Sequence, residues 1–199
     1  MELTQDEIEE TLYNKRQWIR EKIRLHQDSM PAKPKEYVNG ECFTYLGKNY
    51  KLKIIPDGLG EVKLRAGYLE LHMVEGLPLK KRNAFMQNQI ATWYKRNAQK
   101  RLKDKASRLA SIHGLNPKSF SVKDFKSRWG SCSKDGDITL NWRIIMAPHH
   151  IVDYVVAHEI CHLTEYNHSP VFWKQVERMI PDYKNCKEWL KHNSGKLIV

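Results

Sequence analysis

The chain has 199 residues, of which 41% are hydrophobic and 29% charged. This composition argues against disorder and suits one well-packed domain spanning 1–199 better than two. The formal charge of +11, from 34 basic and 23 acidic residues, favours anionic partners without choosing among nucleic acid, acidic peptides and nucleotides. No run of about 18 apolar residues occurs, so no membrane span is expected.

The first element reads as a helix. Thr4-Gln5-Asp6-Glu7 fits a capping box, and Ile8, Leu12, Ile19 and Ile23 recur at helical spacing. Met30 to Pro34 should break it, because proline lacks a donor and disfavours helix in the residue before it. Phe43–Leu46 and Tyr50–Ile55 flank Gly47-Lys48-Asn49, and Glu61–Arg65 and Tyr68–Val74 flank Ala66-Gly67, which together predict a small meander. A long helix is expected over roughly 78–113, with Ala91, Tyr94, Ala98, Leu102, Ala106 and Leu109 as its apolar stripe and Gly114 as its stop. Arg96, Lys100, Arg101, Lys103, Lys105 and Arg108 give the same helix a basic face, either solvated or anion-binding. Ser119–Phe125 alternates as a strand does. Arg128–Cys132 and Ile138–Asn141 flank an Asp135-Gly136 turn, a strong hairpin signal. Three helices near 148–165, 170–180 and 183–192 complete an α+β chain.

The chemistry concentrates in Ala157-His158-Glu159-Ile160-Cys161-His162. Histidines four apart share a helix face, and two imidazoles there can converge on one zinc ion. Glu159 follows the first histidine and can reach a water at the metal's outer sphere as general base. The surrounding Ile151, Val152, Val155, Val156 and Ile160 mark the helix as buried. Burying two histidines and a glutamate unpartnered would cost several kcal/mol, and a metal supplies the partner. A catalytic zinc takes a third protein ligand and leaves a fourth position open. His168 is the best candidate, with Asn167 expected to make the turn in the left-handed conformation. Ser169-Pro170 should then start the next helix. The rival third ligand is Glu177. Glu165, His149 and His150 read as solvated residues and Met179 as core, while His26, His72, His113 and His192 read as unrelated to the site. Arg128, Tyr166 and Tyr183 are candidate oxyanion or substrate contacts. The Arg128–Asn141 hairpin is a candidate edge for strand addition by an extended peptide.

The runs Ser127-Arg128-Trp129-Gly130-Ser131-Cys132, Leu140-Asn141-Trp142-Arg143, Tyr154 to Leu163 and Asn167 to Trp173 resemble YgjP-like metal-dependent hydrolases over roughly residues 37–190. More distantly the chain is similar to SprT-like proteases. The resemblance implies a compact zincin-like α+β domain, with a small mostly antiparallel sheet and a metal-binding core at about 115–190. It also implies a zinc metallopeptidase with three histidine ligands. Relatives carry strands ahead of the first helix, so this chain, starting almost at that helix, is expected to be a shortened member. The expectation is therefore a zinc hydrolase cleaving peptide or protein substrates. The alternatives are a zinc-dependent nucleotide phosphohydrolase and a nucleic-acid-associated zinc module. The polar start, Met-Glu-Leu-Thr-Gln-Asp-Glu, does not read as a secretory signal. The scattered Cys42, Cys132, Cys161 and Cys186 form no CxxC pair, so reduced thiols in a cytoplasmic protein are expected.

Overall fold

The computed structural model describes residues 4–28, 33–58 and 60–199, and for residues 21, 22 and 24–28 the backbone alone. Helix α1 covers Gln5–Asp28. It opens on the predicted capping box: Thr4 N donates to Glu7 Oε2 at 2.8 Å, and Glu7 N to Thr4 Oγ1 at 3.4 Å. Most of the predicted break at Met30–Pro34 lies outside the described residues.

Two sheets follow. Strands β1 (Cys42–Tyr45), β2 (Lys48–Ile55), β3 (Lys63–Arg65) and β4 (Tyr68–His72) form the first, in the order β1-β2-β4-β3. The two predicted hairpins are present, but the meander is not, because β2 and β4 pair in parallel. Each hairpin turns on two residues with positive φ, Leu46-Gly47 and Ala66-Gly67, the backbone twist that matches flanking strands. Gly47 also has a packing reason. A Cβ there would lie 2.8 Å from the Pro148 Cα, because Leu46 N donates to Ile145 O at 2.8 Å and Gly47 N to Met146 O at 3.2 Å. The hairpin tip is thus bonded to the segment that leads into helix α3 (His149–Cys161).

Helix α2 (Leu79–Ile112) buries Met86, Ile90, Trp93, Tyr94, Ala98, Leu102, Ala106 and Ala110. It touches β4, β5 (Ser119–Lys123) and α3, and so joins strands of two sheets to that helix. Gly114, at φ 66°, ends it as predicted. The second sheet consists of β5 (Ser119–Lys123), β6 (Gly130–Cys132) and β7 (Asp137–Asn141), in the order β5-β7-β6. β5 and β7 are parallel, whereas β6 and β7 are the antiparallel hairpin predicted from Asp135-Gly136. A 3-10 turn, Trp142–Met146, carries the chain into α3 (His149–Cys161), and α4 (Pro170–Met179) and α5 (Tyr183–Asn193) follow. Ile151, Val152, Val156 and Ile160 of α3 are 0–1% exposed. Burial of that kind stabilises by about 1.5–3 kcal/mol per side chain, so α3 is held as a rigid central element. No helix among the described residues is long and apolar enough to cross a membrane.

Candidate metal centre

His158 and His162 lie one turn apart at the C-terminal end of α3, with ring centroids 5.0 Å apart. The chain then reverses. Leu163 N donates to Ile160 O at 3.0 Å, and Glu165 N to Cys161 O at 3.0 Å. Thr164 Oγ1 bridges Cys161 O at 3.1 Å and Gln175 Oε1 at 2.9 Å, tying this turn to α4. Asn167 is not among the residues with positive φ; its carbonyl instead accepts from Ser169 N at 2.7 Å. The expected left-handed asparagine is therefore replaced by a hydrogen-bonded turn. Ser169 caps α4 as predicted, its Oγ accepting from Phe172 N at 3.2 Å, with Pro170 at the first helical position.

This path places His168 beside the other two histidines. Ligand atoms of His158, His162 and His168 all lie within 4.8 Å of one another, so the three could hold a metal ion. His158 Nε2 is 3.0 Å from His168 Nε2. His162 Nδ1 bonds to Glu165 O at 3.0 Å. A carbonyl only accepts, so Nδ1 carries the proton and Nε2 is left as the ligand atom. Tetrahedral nitrogen ligands at 2.0–2.1 Å from zinc sit about 3.3 Å apart, and this donor set fits such an ion. His158 Nδ1 is buried and finds no partner among the described residues. Burial and the neighbouring His162 and His168 push the His158 pKa down to about 3, so its imidazole is neutral, as a ligand must be.

Glu159 is 5% exposed. Burial pushes its pKa up to about 8, opposed by the Arg128 guanidinium. Its carboxylate lies against the backbone of β6: a Cβ added to Gly130 would sit 2.6 Å from the Glu159 Cδ, Cγ and Oε1. A cavity of about 420 Å³ opens in front, lined by Arg128 to Cys132, Tyr154, Val155, His158, Glu159, His162, Tyr166, His168 and Leu190.

A family model described as YgjP-like, metallopeptidase domain, matches residues 1–193. The chain belongs to this family. Two solved structures are similar to this YgjP-like chain. The metallopeptidase zymogen of Pyrococcus abyssi abylysin is 25% identical, with a TM-score of 0.41, covering 44% of this chain and 89% of that one. The metallopeptidase zymogen of Methanocaldococcus jannaschii jannalysin is 22% identical, with a TM-score of 0.41, covering 49% of this chain and 97% of that one. No curated protein matches at a significant level. A metallopeptidase domain implies a divalent metal, and the histidine cluster is where the described residues offer one a place.

The other candidates divide. Arg128 and Tyr166 line the cavity, and the Tyr166 hydroxyl donates to Lys134 O at 3.3 Å. Tyr183 does not line it; its ring stacks on Trp173 at 5.3 Å. Glu177 is exposed and lies outside the cluster, as does Glu165. Met179 packs beneath α3, its sulfur 3.8 Å from the Cys161 thiol. His149 and His150 are exposed, and the His26 side chain lies outside the described residues. Sequence reasoning missed the packing around the histidines. Phe172 stacks on His162 at 4.5 Å, and Trp173 on His168 at 5.6 Å. It also missed Gly130, although glycine inside a strand signals close approach of another group.

Proposed function

We propose that the chain is a zinc-dependent peptidase, with His158, His162 and His168 as ligands and Glu159 as general base. The observation that carries this is the joint placement of three converging imidazoles and a buried carboxylate in one cavity walled by a sheet edge. Zinc bound there would polarise the scissile carbonyl and acidify the attacking water. Glu159 accepts that water's proton and delivers it to the leaving amine nitrogen. Its burial against β6 holds the carboxylate in a fixed position beside the cavity, as proton transfer requires. His162 is oriented through the Glu165 carbonyl and Phe172, and His168 through Trp173. Arg128 and Tyr166, which line the cavity, would contact the substrate carbonyl or its developing oxyanion.

Strand β6 supports a peptide as substrate. It is an edge strand, and Gly130, Ser131 and Cys132 line the cavity, so an extended chain can add beside it through backbone hydrogen bonds. Arg128 is the single Lys or Arg among the cavity-lining residues, too little positive charge to favour a triphosphate. The basic face of α2 lies elsewhere and is partly consumed: Arg96 pairs with Glu61 at 2.7 Å, and Lys105 with Asp153.

Glu159→Gln tests the reading. The variant should keep its fold and zinc while losing about 10²–10⁴-fold in peptide hydrolysis, the usual contribution of a positioned proton carrier. Metal content is measured in the same samples, because loss of zinc would imitate loss of the base. Full zinc with undiminished turnover would sink the mechanism.

A further inference from the structure

Helix α1 touches α5 but leaves most of its described side chains exposed. It runs 24 residues, about 36 Å at 1.5 Å per residue. Ile8 is 44% exposed, and Leu12 and Ile23 are each 52% exposed, with Ile19 half-buried. These four fall within one narrow stripe of the helix surface. A helix in water draws most of its stability from packing such a stripe, since propensity alone leaves it marginal. Its charges are also divided along its length. Asp6, Glu7, Glu9 and Glu10 are the charges before residue 15, and from there on Lys15, Arg16, Arg20, Lys22 and Arg24 outnumber Glu21 and Asp28.

We propose that α1 pairs antiparallel with α1 of a second copy of this chain, about a two-fold axis passing between residues 15 and 16. In that register Ile8 lies opposite Ile23 of the other copy, and Leu12 opposite its Ile19, so the stripe is self-complementary as a two-fold interface requires. Glu7 then lies opposite Arg24 of its mate and Glu9 opposite its Lys22, which outweighs the one acidic pair, Glu10 opposite Glu21. Parallel pairing would set acid against acid and base against base, which is destabilising. A polyanion such as nucleic acid would suit the second half and be repelled by the first; a second copy satisfies both. Lys15 and Arg16 meet their counterparts near the axis, where their stems can cover the stripe while their heads reach water. Arg16 already lies over the Tyr13 ring, 3.8 Å from its centroid, and its Nη1 donates to Tyr13 O at 2.8 Å. None of these residues lines the metal-site cavity, so the pairing stands independently of the catalytic reading.

Analytical ultracentrifugation of the full chain tests it. The mass should rise with concentration from 23.5 kDa towards about 47 kDa, twice the chain mass. Leu12→Glu should hold it at the monomer mass while leaving the circular dichroism and the zinc content unchanged. Orientation is read by oxidising cysteine variants and comparing them with the wild type. A mixture of Ile8→Cys and Ile23→Cys should give a disulfide-linked dimer. Ile8→Cys alone should give no more cross-linking than the wild type. A mass fixed at that of the monomer at every concentration would overturn the proposal. So would a dimer indifferent to Leu12→Glu, or Ile8→Cys linking to itself as readily as to Ile23→Cys.

Discussion

Helices α3 and α1 are both rich in apolar residues, yet they stand in opposite surroundings. In α3 the apolar residues reach around the helix, and Ile151, Val152, Val155, Val156, Ala157 and Ile160 are all buried. Against that background the polar side chains are the anomaly: Glu159 and the Nδ1 atom of His158 are buried and need a reason to be there. In α1 the background is polar, and the anomaly is the exposed stripe of Ile8, Leu12 and Ile23. In each helix the residues that contradict their environment point to something the chain alone does not contain. For α3 that is a cation, and for α1 a second surface.

The largest effects should come from removing the proposed ligands in and just after α3. His158→Ala, His162→Ala and His168→Ala should each weaken zinc binding by more than the roughly 10–100-fold that loss of an outer partner costs. Competition with a coloured chelator measures this. Glu177→Ala, a change at an exposed position outside the cluster, should leave affinity unaltered. Retained metal in His168→Ala together with lost metal in Glu177→Ala would reassign the third ligand. Metal binding should also support the fold: free zinc at about 100 times Kd adds about 2.7 kcal/mol, seen as a fall in Tm on chelation.

A second effect probes the close contact between β6 and α3. Gly130→Ala places a methyl group 2.6 Å from the Glu159 carboxylate, so either the strand or the carboxylate must shift. Overpacking of this kind costs about 1–3 kcal/mol, and a base displaced by about 1 Å can lose about 10²-fold in rate. Denaturant melts and turnover at measured zinc occupancy read the two consequences separately. Unchanged kinetics would show that Glu159 can move without penalty.

These contrasts also explain what was legible in the sequence. The capping box at Thr4, the Asp135-Gly136 hairpin, the Ser169-Pro170 helix start and the one-turn spacing of His158 and His162 are local signals, each written in a few neighbouring residues. The parallel pairing of β2 with β4 is not local. Two hairpins of the same alternation can meet on either edge, and nothing within either hairpin specifies which. The turn before His168 departs from the expectation because Asn167 is only one way to reverse a chain; the Cys161 carbonyl and Thr164 hydroxyl do it instead. Tyr183 is a candidate substrate contact in the sequence, whereas in the fold Trp173 stands between its ring and that of His168. Gly130 lies 29 positions before Glu159 in the numbering, and their contact exists only once β6 lies on α3.

A third effect belongs to the metal-free protein. The folded His158 has a pKa of about 3 against an ordinary 6.5. Below pH 6.5 the unfolded chain takes up a proton that the folded one refuses, so stability falls as pH drops from 6.5 towards 3. Glu159 works in the other direction, with a folded pKa of about 8 against 4.5. Its contribution is fully present below pH 4.5 and is lost as pH rises through 8. Urea melts of the chelated protein should show both limbs. His158→Gln should flatten the acid limb and Glu159→Gln the alkaline one; limbs unchanged by these substitutions would assign them to other groups.

The smallest effect lies on α1 and completes the comparison. Ile160→Ala in α3 removes a fully buried side chain and should cost about 2–5 kcal/mol. Leu12→Glu in α1 alters a side chain that is 52% exposed, and a surface change away from special features is usually worth within about 0.5 kcal/mol. At protein concentrations low enough to keep the chain monomeric, Leu12→Glu should therefore melt with the wild type. At high concentration the two should separate, because association stabilises only the form that binds and makes its Tm rise with concentration. The paired measurement distinguishes a residue that holds its own chain together from one that holds two chains together. A wild-type Tm that does not move with concentration, or a Leu12→Glu protein already destabilised when dilute, would place Leu12 in the intramolecular packing and remove the contrast with α3.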